Sequence, residues 1–126
     1  MARILIIDDD PDTRSMLEDI LKSASHQTFT AADGKEGLKQ YLANPADLVI
    51  TDMFMPDKDG FETIVELRKK FPTVAIIAMS GKAVAANMLS IAQKLGAAEV
   101  LQKPFLSIEL LSAVDRALRR ESPRSQ

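Results

Sequence analysis

The 126 residues are 46% apolar and 27% charged, with a formal net charge of −2. That is enough chain for one domain burying about two-thirds of its unfolded surface, with no basic excess to draw it to nucleic acid or an anionic membrane. There is no cysteine, which excludes disulfides and thiolate-based metal or redox chemistry. Only four apolar residues separate Arg3 from Asp8, too few for a secretion signal, and no run approaches the length of a membrane span. A soluble, cytoplasmic single domain is expected, occupying 1–120, with a polar tail at 121–126.

Ile4-Leu5-Ile6-Ile7 is a continuous apolar run of the kind that forms a fully buried parallel strand. It ends in three carboxylates, Asp8, Asp9 and Asp10. Pro11 suits the first turn of a helix, with Asp10 as its N-cap. Met16, Leu17, Ile20, Leu21 and Ala24 then share a helical face. Capping accounts for Asp10, and placement in the first turn for Asp12. Neither accounts for Asp8 and Asp9, which repel each other unless something positive lies between them.

Gln27–Ala31 reads as a short edge strand. Asp33 and Glu36 have the spacing of a capping box and open a helix expected to bury Leu38, Tyr41 and Leu42. Leu48-Val49-Ile50-Thr51-Asp52 is the next buried strand, again ending on a carboxylate. Asp59-Gly60 opens a third helix with Phe61, Ile64 and Val65 inward, and Arg68, Lys69 and Lys70 read as its solvated end. Val74–Met79 is a fourth strand, ending on Ser80-Gly81. An Ala-rich helix follows, with Met88, Ile91, Ala92 and Leu95 inward and Gly96 as its stop. Val100-Leu101-Gln102 is a fifth strand leading into Lys103-Pro104. Ser107 is expected to cap a last helix burying Leu110, Leu111, Val114, Ala117 and Leu118. Met16, Met79 and Met88 read as core filling, and His26, the one histidine, as an exposed loop residue.

Strand and helix alternate five times, which demands a parallel sheet with helices on both faces, a doubly wound α/β architecture. Ligands of such sheets sit at the carboxyl ends of the strands. Asp8, Asp9, Asp52, Ser80 and Lys103 converge there. Three close carboxylates call for a cation. A hard divalent ion with oxygen ligands fits, Mg²⁺ above all, since it keeps waters and shares phosphate oxygens. A carboxylate can attack phosphorus to give an aspartyl phosphate, and a nearby lysine and hydroxyl would offset the charge on a transferring phosphoryl group.

The pieces Ile-Ile-Asp8-Asp9-Asp10-Pro, Thr-Asp52-Met-Phe-Met-Pro56-Asp57-Lys-Asp-Gly60-Phe, Met-Ser80-Gly, Gly96-Ala and Lys103-Pro104-Phe105 stand in order at strand ends. Together they resemble a response regulator receiver domain of two-component signalling, of the chemotaxis-regulator-like kind, over residues 3 to about 120. The resemblance implies a flavodoxin-like five-stranded sheet of order 2-1-3-4-5 with five helices. It makes Asp52 the phosphoacceptor, and Asp8, Asp9, Asp52 and the main-chain carbonyl of Phe54 the Mg²⁺ ligands. Ser80 becomes the switch hydroxyl and Lys103 the phosphoryl-pairing lysine, with a cis peptide before Pro104. It implies a signalling module rather than an enzyme, phosphorylated by a histidine kinase or phosphotransfer protein. The output is a downstream protein bound on the face made by Lys82–Leu95, Glu99–Gln102 and the last helix, without direct contact to nucleic acid or membrane.

Val100 departs from the pattern, since receivers usually carry Tyr or Phe three residues before the lysine. A valine cannot sweep out a ring's volume, so a smaller output change, or one carried by the backbone from Ser80 to Ala85, is expected. Phe54 and Lys82, each two residues beyond a site residue, border the path of an attacking water, and a bulky ring there is expected to slow phosphoryl loss. Two other classes compete. A haloacid-dehalogenase-type hydrolase wants a second Asp two residues after the nucleophile, where Phe54 stands, and a cap region for which there is no room. A phosphorylation-independent interaction domain would have lost site residues, and none is lost. A nucleotide-binding Rossmann reading lacks any Gly-x-Gly-x-x-Gly. The chain is expected to be a stand-alone regulator or the receiver of a longer protein.

Overall fold

A computed structural model of the chain describes residues 1–53, 60–81 and 86–120, the side chains at 60, 61, 86–89 and 120 excepted. The elements alternate as β1 (Arg3–Ile7), α1 (Pro11–Ser23), β2 (Gln27–Ala31), α2 (Gly34–Ala43), β3 (Leu48–Asp52), α3 (Gly60–Lys70), β4 (Ala75–Ser80), α4 (Ala86–Leu95), β5 (Glu99–Gln102) and α5 (Ser107–Arg120). The strands form one sheet in the order β2-β1-β3-β4-β5. Every neighbouring pair is parallel. None of the described helices is long and apolar enough to cross a membrane.

The apolar runs divide their side chains between two faces because successive strand residues point to opposite sides. Leu5, Ile7, Val49, Ile76 and Ala78 meet Leu38 and Tyr41 of α2, Ile64 and Leu67 of α3 and Ala92 of α4. Ile4, Ile6, Leu48, Ile50, Ala75, Ile77 and Met79 meet Leu17 and Leu21 of α1 and Leu110, Ala113, Val114 and Ala117 of α5. Each fully buried Leu or Ile contributes about 1.5–3 kcal/mol relative to exposure. The two cores hold β1, β3 and β4 rigidly in the middle, and it is the ends of these strands that carry Asp8, Asp52 and Ser80.

Helix faces depart from expectation at their margins. The inner face of α2 is Gly34, Gly37, Leu38 and Tyr41; at 100° per residue Leu42 lies on its flank and is 60% exposed. Gly37 sits so close to β1 that an added Cβ would strike the Ile7 side chain. Met16 and Val65 lie on similar flanks and are exposed, as is Ile91, whereas the missed Leu67 is fully buried. Of the methionines read as core, Met79 is buried, Met16 is not, and the Met88 side chain lies outside the described residues. Ala24 is exposed at the C-cap of α1. Ser107 is the first residue of α5 rather than its cap, and Glu109 reaches back to accept the Leu106 N–H at 2.7 Å.

Two residues read as solvated surface are tied into the fold. Arg68 donates to Pro72 O at 2.5 Å and Gly96 O at 2.8 Å. It thereby joins the end of α3 to the turn after α4, where Gly96 has φ +128°, a conformation natural to glycine. His26 is half-buried, and its Nδ1 accepts the Ala2 N–H at 3.0 Å. The remaining half of the expected capping box holds at α2: Asp33 accepts the Glu36 N–H at 2.8 Å, though Glu36 returns a bond to the Ala32 N–H. The tail at 121–126 lies outside the described residues.

Candidate functional site

β1, β3 and β4 deliver Asp8, Asp52 and Ser80 to one edge of the sheet because all three strands run parallel and end level with one another. Lys103 follows β5, and its main-chain N–H donates to Ser80 O at 2.7 Å. This bond brings the turn after β5 against the end of β4. The Lys103–Pro104 peptide is cis, as the resemblance implied.

One carboxylate oxygen from each of Asp8, Asp9 and Asp52 lies within 4.8 Å of the others. Asp8 is completely buried and Asp52 nearly so, while Asp9 is exposed. Lys103 Nζ donates to Asp8 Oδ2 at 3.0 Å and to Asp52 Oδ2 at 3.4 Å. Among the described residues, one ammonium, that of Lys103, faces the three carboxylates. Burial raises the Asp8 carboxyl above its ordinary range, although the Asp10 N–H and Lys103 both favour its charged form. Burial likewise disfavours the Lys103 ammonium, but its hydrogen bond to Asp8 and the charge of Asp52 outweigh it and hold Lys103 protonated. The all-oxygen donor set suits a hard divalent cation.

The three consecutive aspartates have separate tasks. Asp10 is the N-cap of α1: Oδ1 accepts the Asp12 N–H at 3.0 Å and Oδ2 accepts the Thr13 hydroxyl at 3.0 Å. These bonds hold its carboxyl below the usual range. Asp8 Oδ1 accepts the Asp10 N–H at 2.9 Å, leaving Oδ2 for Lys103. The exposed Asp9 side chain has no hydrogen bond among the described residues. Capping therefore absorbs Asp10 and leaves Asp8 and Asp9 for the cluster, as the sequence implied.

Ser80 Oγ is buried and has no hydrogen-bond partner among the described residues. A buried hydroxyl costs free energy when unpaired, so an orphan at this edge suits a group that receives a bond only in another state of the protein. Thr51 donates its hydroxyl to Asp52 O at 3.0 Å, and Arg14 of α1 donates to Asp8 O at 2.7 Å. Sequence reasoning missed both: the first turns on the rotamer of Thr51 within β3, the second on how the start of α1 folds back over the end of β1. Phe54, expected to offer its carbonyl, lies outside the described residues, as do Pro56, Asp57 and Lys82.

An acidic cluster, a lysine and a hydroxyl thus meet at the carboxyl edge of a doubly wound sheet, the edge at which such sheets bind their ligands. Residues 4–115 match the family model of the response regulator receiver domain, and the chain belongs to that family. It is 35% identical over 122 residues to the DNA-binding transcriptional regulator NtrC of Azospirillum brasilense, covering 97% of this chain and 25% of that protein. It is 33% identical over 118 residues to the transcriptional regulatory protein RprY of Bacteroides fragilis, covering 94% of this chain and 50% of that one. A response regulator receiver domain protein from Clostridium thermocellum superimposes with a TM-score of 0.89 at 32% identity, over 96% of this chain and 97% of that one. The chain thus spans a quarter to a half of the length of these two curated relatives.

Proposed function

We propose that this receiver accepts a phosphoryl group on Asp52 from a phosphohistidine of a histidine kinase or phosphotransfer protein, in a Mg²⁺-dependent reaction, and signals by changing its partner-binding surface. The observation that carries this reading is the Asp8–Asp9–Asp52 cluster, with Lys103 bridging Asp8 and Asp52. Asp8, Asp9 and Asp52, with the Phe54 carbonyl, would hold Mg²⁺. When bound, the ion supplies positive charge to the phosphoryl oxygens.

In the transfer an Asp52 carboxylate oxygen attacks phosphorus, and the bond from phosphorus to the donor's imidazole nitrogen breaks with its electron pair staying on nitrogen. The rigid end of β3 orients the nucleophile, so the chain supplies positioning rather than proton transfer. Lys103 stays protonated and pairs with a phosphoryl oxygen. Ser80 Oγ turns to donate to another, gaining the partner it lacks.

The receiver is assigned to 1–120 and the polar tail to 121–126, in the cytoplasm. The output face comprises α4, β5 and α5, where Arg116 of α5 pairs with Glu99 of β5 at 3.1 Å and Ile91 is 43% exposed. With a net charge of −2, this segment is assigned protein partners rather than nucleic acid. The test is intact-protein mass after incubation with acetyl phosphate, with Mg²⁺ or with chelator. The reading predicts a phosphoryl adduct with Mg²⁺ that is absent in chelator and absent in Asp52→Asn. An adduct of equal yield in Asp52→Asn would refute it.

A further inference from the structure

Arg14 lies in the first helical turns of α1, where its charge opposes the helix dipole, which favours anions at that end. Its side chain nevertheless folds back over the helix start rather than outward into water. The guanidinium donates to Asp8 O at 2.7 Å, and its own main-chain N–H donates to Asp10 O at 3.0 Å. The Arg14 guanidinium therefore holds the Asp8 end of the acidic turn, while the Asp10 end is tied by the first main-chain bond of α1, which any residue at position 14 makes. The other restraints on the turn flank Asp9 in the same way. The Asp8 N–H donates to Ala31 O on β2 at 3.1 Å, and the Asp10 N–H donates to Asp8 Oδ1 at 2.9 Å. Asp9 itself has an exposed side chain without a hydrogen bond among the described residues, so its direction is set by the turn that carries it.

We propose that Arg14 is a positioning residue: by tying the Asp8 carbonyl to the start of α1, its guanidinium completes the restraint of the turn that carries Asp9 and holds the Asp8 and Asp9 carboxylates at the separation a divalent cation needs. This rests on the metal-dependent reading above. A partner that orients ligands without touching the ion is worth about 10–100-fold in metal affinity where it has been removed. The alternative role, a cation near the site acting only through its charge, has the opposite sign, since removing it would strengthen metal binding.

The two roles separate in a titration of metal-free protein with Mn²⁺, following free Mn²⁺ by electron paramagnetic resonance, for wild type, Arg14→Gln and Arg14→Lys. Melting curves in chelator confirm that each variant is folded. The proposal expects Arg14→Gln to bind Mn²⁺ about tenfold more weakly. Arg14→Lys, with a shorter side chain that keeps the charge, should recover part of that loss. Equal or tighter binding by Arg14→Gln would overturn the positioning role while leaving the metal site standing. Absence of Mn²⁺ binding by wild type at millimolar concentration would overturn the metal-dependent reading, and this inference with it.

Discussion

Lys103 Nζ lies 3.0 Å from Asp8 Oδ2, a contact that closes the sheet edge between residues 95 positions apart in the chain. The carboxylate side of this pair is wholly buried and the lysine side chain is 27% exposed. Removing the lysine leaves Asp8 charged without its cation, or forces it to take a proton. Breaking a fully buried pair costs about 3–5 kcal/mol, and partial exposure of the lysine brings the expected loss for Lys103→Ala down to about 1–3 kcal/mol. Urea unfolding in chelator measures it. Phosphoryl acceptance from acetyl phosphate should fall about 100-fold, because a cation aimed at developing charge is lost.

Ser80→Ala should behave in the opposite way. The hydroxyl is buried and unpartnered among the described residues, so its removal relieves a desolvation cost instead of breaking a bond. Stability should hold or rise by up to about 1 kcal/mol, while binding of the phosphorylated form to its output partner weakens. A clear loss of stability in urea unfolding would show that Ser80 Oγ has a partner in the unphosphorylated protein.

His26 makes stability depend on pH near neutrality. Nδ1 accepts the Ala2 N–H, which requires neutral imidazole with its proton on Nε2. Burial lowers the folded pKa below the ordinary 6.5; the N-terminal amino group adds to this and Asp115 of α5 opposes it. The unfolded chain therefore binds more protons than the folded one between the two pKa values. Stability is full above about pH 6.5 and declines as pH falls from there toward the lower, folded value. Melting temperatures between pH 7.5 and 5.5 should drop accordingly for wild type. For His26→Asn, whose side-chain carbonyl can still accept the Ala2 N–H, the profile should be flatter.

Val100 pairs in register with Ala78 and packs, half-buried, against the core beneath α3 and α4. A packed valine has few positions to exchange, so addition of a phosphoryl mimic such as beryllofluoride should shift amide resonances mainly around Ser80 and Lys103. Val100→Tyr should spread those shifts across β5 and α5. Equally broad shifts in wild type would show that the output does not depend on a ring at this position.

The strands β1, β3 and β4 were legible because each is a short apolar run buried on both faces, whereas the less buried edge strands β2 and β5 were read from their place between helical segments. The site was legible for the same reason: strand ends fix where Asp8, Asp52 and Ser80 emerge. Helix margins were less so. Met16, Leu42 and Val65 fall within a turn of buried residues, and only the position of the neighbouring sheet decides that they face outward. Side-chain-to-backbone bonds over long separations were not legible at all. Arg68 to Gly96 and Ala2 to His26 depend on which loops the fold brings together. The local bond from Arg14 to Asp8 left one sequence signal, a cation set against the dipole of its own helix.

Chemical trapping reads directly whether Asp52 carries the phosphoryl group. The most direct measurement is to treat the protein with acetyl phosphate and Mg²⁺, reduce it with sodium borohydride, and sequence the peptides by tandem mass spectrometry. An aspartyl phosphate is reduced to homoserine, so the account predicts homoserine at position 52, dependent on Mg²⁺. Homoserine at position 8 or 9, or at no position while an adduct is present, would contradict it.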